Sequence, residues 1–491
     1  MTIPEIRFEA SLLKVVTAVL AAAAFCGCAH IDPWNEKAST PSAPDAIYQG
    51  EKVPVSITNI YGGAAAEISS DDLIGKAPMT LAECVRLALE RNPKTRSSWY
   101  AARSAAAGVG EAKSDYFPTL DAIGNGMRGD AAELDAGTDP GVQSVYEAVF
   151  SVQYMLFDAG RPARVSDAEA QLRGLNFRHN TTIQDVALAV EEHYYGLFAA
   201  QALRDLASET IKQQEQHAAL AEGRYKAGTV QRSDVLKAVT EKANAELNAV
   251  RAESAVRIGK GRLANAIGLH VTDFFEVAPA SEPNYQETMN DLAALLAEAA
   301  TNRPELQTVM ADIDTRRARL KAAQALDWPS VAASGTYGWQ DRSFVMGQQE
   351  WMAGIGITLP LFTGFENTYA KQRTKADLKK ARSDGETVFR GIELEVWTAY
   401  SQLIEARQAI DAAQKLVADA EESARVAEGE YKSGTGSIIG LIDAQTAFTS
   451  ARTRMIQAKL DWHIAVARVE RAAGRSLAGP GMDNIKKERN P

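Results

Sequence analysis

An internal duplication limits what this chain can fold into more than any other feature. Shifted by 206 residues, Val186–Gly268 lies on Ile392–Gly474 without a gap, and Ala221-Glu222-Gly223-Arg224-Tyr225-Lys226-Ala227-Gly228-Thr229 falls on Ala427-Glu428-Gly429-Glu430-Tyr431-Lys432-Ser433-Gly434-Thr435. Tyr194 meets Tyr400, and Gly268 meets Gly474. Upstream the offset becomes 211: Leu81-Ala82 meets Leu292-Ala293, Pro93 meets Pro304, Pro118 meets Pro329 and Gly124 meets Gly335. The difference is absorbed where Gly129–Ser144 is matched by the shorter Gln340–Glu350, and length variation of that kind belongs in exposed loops. The chain is therefore expected to build one supersecondary unit twice.

Each copy reads in the same order. A short helix (Thr80–Arg91, or Met289–Asn302) precedes a proline suited to a helix start, and a second helix runs to about Ser114 or Leu326. Strands follow at Phe117–Met127 and Tyr146–Phe157, and again at Val331–Gln340 and Trp351–Phe362. In the second strand of each pair the residues alternate. Tyr146, Ala148, Phe150, Val152, Tyr154 and Leu156 share one face, as do Trp351, Ala353, Ile355, Ile357, Leu359 and Leu361. The opposite faces carry Glu147, Ser151 and Gln153, or Gly354, Gly356 and Thr358. Strands of about ten residues with one apolar face match a tilted crossing of a bilayer, and no second sheet is present for a soluble sandwich. Four strands cannot close a barrel that leaves a channel, so several chains are expected to share one.

Long helices follow the strands. From Arg164 to about Lys226, and from Asn367 to about Lys432, proline is absent and glycine rare. Unbroken, each would measure roughly 90 to 100 Å. Return helices are expected over Ser233–Ile267 and Ile439–Ala473. Val235, Leu236, Val239, Leu247, Val250 and Val256 recur at coiled-coil-like spacing, so these helices need neighbours. At the first helix-to-helix turn Gly228 reads as a stop, with Ser233 or Asp234 as the next N-cap. Tyr431, Lys432, Gly434 and Thr435 repeat Tyr225, Lys226, Gly228 and Thr229, and retention of the Tyr-Lys pair is more than a turn requires.

Chemistry is hard to place on this chain. Metalloprotease, Walker, nucleophile-elbow and paired Cys-x-x-Cys motifs are missing. Gly354-Ile355-Gly356 lies within a strand, where close strand packing explains it better than a nucleotide does. The histidines (His30, His179, His193, His217, His270, His463) are dispersed and predict no metal site. Glu191-Glu192 and Glu421-Glu422 read as solvated helix charges, neither pair an acid and base couple. A net charge of −10 argues against nucleic acid as a partner. No catalytic residue and no cofactor is expected.

Residues 1–27 read as a signal peptide, with Arg7 and Lys14 beside the apolar stretch Val15–Phe25, which is too short to span a bilayer comfortably. Its end, Phe25-Cys26-Gly27-Cys28, resembles a bacterial lipoprotein box, which makes Cys28 the lipidated, mature N-terminus. Plain cleavage near Ala29 is the alternative. Cys84 would then be the only other mature cysteine, a small core residue without a disulfide partner. Beyond residue 25 no apolar run is long enough for a transmembrane helix, which leaves β-strands to cross a membrane.

Ala88-Leu89-Glu90-Arg91-Asn92-Pro93, the strand ends Leu156-Phe157-Asp158-Ala159-Gly160 and Leu361-Phe362-Thr363-Gly364, and Tyr-Lys-x-Gly-Thr at both turns, taken with the repeat, resemble the TolC-type outer-membrane efflux proteins. The resemblance covers about residues 80 to 475, and its features suit a lipoprotein-like member. It implies a mainly α fold with a small membrane β-barrel portion: a homotrimer in which four strands per chain make twelve, above a long periplasmic α-helical tunnel. It further implies a periplasmic adaptor (membrane-fusion) protein, an inner-membrane pump, proton-driven or ABC, and outer-membrane lipid as partners. Both turns would form the tip, where the adaptor meets Tyr225, Lys226, Gly228, Thr229, Lys432, Gly434 and Thr435. Tyr431 and Asp443 match residues that hold such tips closed, whereas Gly436 and Gly440 stand where the family's Arg and first Asp would be; the first copy offers Arg232 and Asp234 instead.

The expected organisation is thus a signal peptide (1–27), a lipid-anchored linker (28–78), a first repeat (79–268), a linker (269–288), a second repeat (289–474) and a tail (475–491). A passive exit duct for small molecules is the first reading. A duct for type I protein or peptide secretion is the alternative, and a non-conducting envelope-spanning coiled coil is a third.

Overall fold

A computed structural model describes residues 44–46, 78–130, 142–272, 275–278, 291–341 and 348–475. The signal peptide, Cys28, nearly all of the first linker, the start expected at Met289 and almost all of the tail lie outside the described residues. In chain order the elements are α1 (Leu81–Arg91), α2 (Pro93–Ser114), β1 (Thr119–Asp130), β2 (Val142–Phe157), α3 (Arg161–Lys226) and α4 (Arg232–Ile267). The second copy gives α5 (Leu292–Asn302), α6 (Pro304–Ala325), β3 (Ser330–Asp341), β4 (Gln348–Thr358), α7 (Glu366–Ser433) and α8 (Ile438–Ala472). The strands form one antiparallel sheet in the order β1-β2-β3-β4.

Local chemistry sets most of these bounds. Thr80 caps α1 through a reciprocal pair with Glu83: Glu83 N donates to Thr80 Oγ1 (3.3 Å) and Thr80 N to Glu83 Oε2 (2.7 Å). Pro93 and Pro304 each open a helix at its first position. β1 and β3 start just after Pro118 and Pro329, and β4 stops at Thr358, two residues before Pro360, because proline has no N–H for a ladder. The strand expected to reach Phe362 is shortened for that reason. β2 carries a register shift between Met155 and Phe157, so Phe157, not Leu156, continues the face of Tyr146 and Phe150.

Both copies close their helical body in the same way. α4 ends at Gly268 and α8 reaches Gly474, with φ of +84° and +73°. A Cβ on either would lie within about 3 Å of backbone, that of Arg91 and Asn92 for Gly268 and of Asn302 and Arg303 for Gly474. Only glycine meets both demands. The residue before each helix-opening proline then caps the returning helix: Asn92 Nδ2 donates to Ala266 O (2.8 Å), and Arg303 Nη1 donates to Arg471 O (3.1 Å) and Ala472 O (3.3 Å). Beside these caps, Cys84 and Ala88 of α1 pack against Val186 and Val190 of α3 and Leu263 of α4. Leu295 and Ala299 of α5 pack at the repeat-equivalent place against Ile392, Val396 and Val469. Burial pushes the Cys84 thiol up to about 12, as fits an inert core residue.

The halves join where α3 packs against both α6 and α8. Arg452 pairs with Glu209 (2.7 Å), Arg468 with Glu192 (2.9 Å) and Arg471 with Asp185 (2.7 Å), while His463 stacks on Tyr195 with centroids 4.0 Å apart. Glu191, read from sequence as a solvated charge, is instead 4% exposed beside this seam. Desolvation first, then Glu470 and Glu192, push its carboxyl up to about 8, and burial holds Glu470 up to about 7. Periodicity marked the residue as helical but could not say that another helix covers it.

A carboxyl whose folded pKa is raised lends its full stability below its unfolded value near 4.5, and loses it as pH rises towards about 8. Glu191→Gln is therefore expected to raise the thermal midpoint more at pH 8 than at pH 5, in scans of the purified protein at both pH values. An equal shift at the two would show that Glu191 does not titrate in that window.

Candidate functional site at the helix tips

The distal ends of the two helical hairpins meet in a small apolar cluster: Ala221 of α3, Val235 and Ala238 of α4, Tyr431 of α7, and Ile438 and Leu441 of α8. The turns use one chemistry. Gly228 and Gly434 take φ of +73° and +90°, and the following threonine closes back on the last helical turn. Thr229 N and Oγ1 both donate to Arg224 O (3.0 Å each), and Thr435 N (3.0 Å) and Oγ1 (3.2 Å) donate to Glu430 O. The retained lysines have a local reason too: Lys226 pairs with Glu222 (3.3 Å) and Lys432 with Glu428 (2.5 Å), one turn back in each case. Gly-Thr and Lys thus serve the turn and its helix.

The tyrosines differ. Tyr225 is 41% exposed, whereas Tyr431 is 1% exposed and its hydroxyl has no hydrogen-bond partner among the described residues. Arg224, which sequence reasoning passed over, explains the difference. Its Nη1 donates to Tyr431 O (2.5 Å) and its guanidinium lies 4.8 Å over the Tyr431 ring, tying the first hairpin to the second. The signal was present: in the nine-residue block quoted above, position 224 is Arg in one copy and Glu430 in the other.

The return helices start differently from expectation. α4 begins at Arg232 after Gln231, which makes no side-chain cap, so Ser233 and Asp234 lie inside its first turn. There Asp234 still complements the positive helix end. In the second copy Ser437 does cap, accepting from Gly440 N (3.1 Å). Arg232 and Asp443 are exposed and Asp234 is half-buried, and none of the three makes an ion pair among the described residues. The structure therefore brings Tyr431 into the tip core and leaves Arg232, Asp234 and Asp443 as free charges around it.

At the other end of the molecule the sheet separates two chemistries. Register places Leu120, Phe150, Val152, Tyr337, Trp339, Trp351, Ile355 and Ile357 on one face, and Asp121, Asn125, Glu147, Ser151, Gln153, Ser334, Thr336 and Glu350 on the other. Ile355 and Ile357 are 70% and 73% exposed, although apolar. Gly354 and Gly356 have no neighbour within 4 Å of a would-be Cβ, so close packing does not explain them; the close approach is at Gly338, against Ala148 O. No described helix is long and apolar enough to cross a membrane.

A sheet with an apolar outer face, hung on helical hairpins of 66 and 36 and of 68 and 35 residues, defines the subunit of an outer-membrane duct. Comparison agrees. The family described as "Outer membrane efflux protein" matches residues 84–269 and 295–475, and the chain belongs to that family. It is similar to CyaE of Bordetella pertussis, 26% identical over 383 residues (77% of this chain, 80% of that one). It is also similar to the toluene efflux pump outer membrane protein TtgC of Pseudomonas putida, 25% identical over 374 residues (74% and 76%). The crystal structure of VceC from Vibrio cholerae shares the fold, with a TM-score of 0.69 at 18% identity over 81% of this chain and 97% of that one. The protein is an outer-membrane efflux channel, with its helices on the periplasmic side.

Removing the Arg224 contact should loosen the tip without unfolding the body. We expect Arg224→Ala to speed amide exchange across residues 429–440 by at least about tenfold, because a cation–π contact and a charged hydrogen bond together supply about 1.5 to 3 kcal/mol. Exchange at the α1–α3 core should stay unchanged. Arg224→Lys should restore little, because an ammonium lacks the planar stack.

Proposed function

We propose that three copies of this chain form the outer-membrane exit duct of a tripartite pump for small molecules, with Asp443 and Asp234 narrowing its periplasmic mouth. The observation that carries the assembly is an unfinished seam. Within the chain α3 packs on α8. Among the described residues their repeat counterparts, α7 and α4, do not pack on each other, and each carries exposed apolar residues: Leu394, Trp397, Leu416 and Val426 on α7, and Leu236, Val239, Leu247, Val250 and Ile258 on α4. Of the α4 positions picked out from sequence, only Val235 and Val256 are buried. A neighbouring copy that sets its α4 against α7 completes a second seam like the first. Charge supports this. The repeat counterparts of the Arg452–Glu209 pair are Glu246 and Lys415, again opposite in sign but exchanged between the partners.

Other features fit a trimer in a membrane. Three four-stranded sheets give a twelve-stranded barrel wide enough for a channel. Tyr116, Phe117, Trp328, Phe362 and Phe365 are exposed where strands meet helices, the level at which aromatic side chains settle at a bilayer surface. Cys28 would add a lipid to the same leaflet. At the tip, Gly223 and Gly429 are interior helix glycines, retained in both copies, with no described atom within 4 Å of a would-be Cβ. An adaptor helix lying close against them would account for glycines that otherwise weaken a helix by about 1 kcal/mol each.

Cysteines placed as Glu246→Cys and Lys415→Cys should be joined by a short bis-maleimide between chains, giving dimer and trimer bands in denaturing gels; joining only within a chain would defeat the proposed seam. Like charges at a narrow mouth favour cations. Asp443→Ala is accordingly expected to raise single-channel conductance in planar bilayers and to weaken cation preference. If neither changes, Asp443 does not line the constriction, and Asp234→Ala is the next variant to measure.

A further inference from the structure

Near the sheet, α3 lies against α6 within the chain, and two ion pairs cross that seam. Arg173 Nη2 reaches Asp314 Oδ2 (3.2 Å), and Arg319 Nε reaches Asp167 Oδ2 (3.1 Å). The helices are close there, since a Cβ on Gly174 would lie 3.4 Å from that of Ala311. The repeat counterparts of α3 and α6 are α7 and α2. The offset of 206 holds at this level, for Leu172 and its counterpart Leu378 are both buried. Yet the faces that match the seam are bare: Arg373, Lys379 and Lys380 on α7, and Tyr100 and Ala107 on α2, are exposed.

In the proposed trimer, on which this site rests, α7 of one copy meets α2 of the next as α3 meets α6. The ion pairs do not survive the exchange. Lys379 stands for Arg173, but Arg103 stands for Asp314, so two cations face each other. Arg103 is half-buried and lies over the Trp99 ring, 5.0 Å from its centroid. Lys375 and Arg382 share the side of α7 that carries Lys379, four residues before it and three after. All three are exposed, and none is in an ion pair among the described residues. Acids nearby serve other cations. Asp384 pairs with Lys380 (2.7 Å) and Glu386 with Arg390 (2.6 Å). Asp377 lies on the opposite side of α7 from Lys379. Glu111 of the neighbouring copy falls nearest Arg373, because it is one turn from Gly108, the counterpart of Arg319.

We propose that Lys375, Lys379 and Arg382 of one copy and Arg103 of the next form an anion site between subunits, filled by a soluble phosphate- or carboxylate-type oxyanion. Cations converging from two chains repel one another. An oxyanion that accepts from both the guanidinium and the ammonium groups turns that repulsion into attraction across the seam. A phospholipid headgroup offers the same chemistry, but Lys379 lies 13 residues along α7 from Glu366, about 20 Å below the sheet's base. A soluble anion reaches that depth and a headgroup does not.

Heating the full chain in detergent, with trimer scored by size-exclusion chromatography, tests the site. At equal ionic strength, sodium phosphate should raise the wild-type dissociation midpoint at least ~2 °C above that in sodium chloride. Lys379→Asp rebuilds an ion pair with Arg103 across the seam, so it should raise the midpoint in chloride and lose the phosphate increment. Adding Arg103→Asp should lower the midpoint again and leave phosphate without effect. An equal increment in all three proteins is salt acting on the whole surface, an adventitious ion only, and overturns the site. In nanodiscs, phosphatidylglycerol in place of phosphatidylcholine should leave the wild-type midpoint unchanged. A gain there without one from phosphate overturns the soluble ligand. A chain that forms no trimer in either salt overturns the assembly beneath the site, whereas a trimer indifferent to phosphate overturns the site and leaves the duct reading standing.

Discussion

A sheet open at both edges cannot rest in lipid. β1 and β4 each pair on one side only, so the outer edge of each presents a row of backbone donors and acceptors. In water such an edge costs little. In hydrocarbon each unsatisfied group costs several kcal/mol, which is why membrane sheets close into barrels. The apolar face of this sheet demands lipid and its edges forbid exposure to it, and the proposed assembly, in which strands from other copies complete the ring, meets both demands. Everything below inherits that requirement: helices that leave a shared ring travel side by side and must cover one another's flanks, and the bare stripes on α4 and α7 mark where that cover is missing.

Duplication makes the construction economical and also exposes where it was altered. Asn92 and Arg303 solve the same capping problem with different donors, and Gly268 and Gly474 solve the same close approach with the same residue. Where the copies diverge, no common structural demand is at work. Glu191 is buried near the seam inside the chain, while its counterpart Trp397 is 55% exposed on the side where a neighbouring copy is proposed. Arg224 ties the hairpins together; Glu430, at the same place, only receives the turn's donors. His179 on α3 lies 3.0 Å from Ala46 O, where its counterpart Gly385 packs too tightly on Val309 for any side chain.

Much of this was legible in the residues. Proline placement, helix-length stretches without glycine, alternation in the strands and the offset between copies located every described element, because each depends on local rules. What escaped depends on which surfaces meet. Periodicity gave α3 a charged face at Glu191 but not that α8 covers it. It offered Ser233 and Asp234 as caps, whereas the chain enters the helix one residue earlier, at Arg232, and leaves them in its first turn. It also put Tyr225 and Tyr431 on the same footing, since a ring buried between two hairpins and a ring on the surface have the same neighbours in sequence.

A passive duct has no energy source of its own, so whatever opens the tip must come from a difference in binding between closed and open forms. The contact that joins the hairpins is small on that scale. One cation–π stack and one charge-assisted hydrogen bond amount to about 1.5 to 3 kcal/mol per chain. Binding at micromolar affinity releases about 8 kcal/mol, so an adaptor need favour the open tip with only a fraction of its binding energy. In the proposed duct the apolar cluster around Tyr431 would bias the tip towards closure without locking it. On that reading the tip is weak where the proposed partner acts, and the body, with its capped helix ends and interhelix ion pairs, is strong elsewhere.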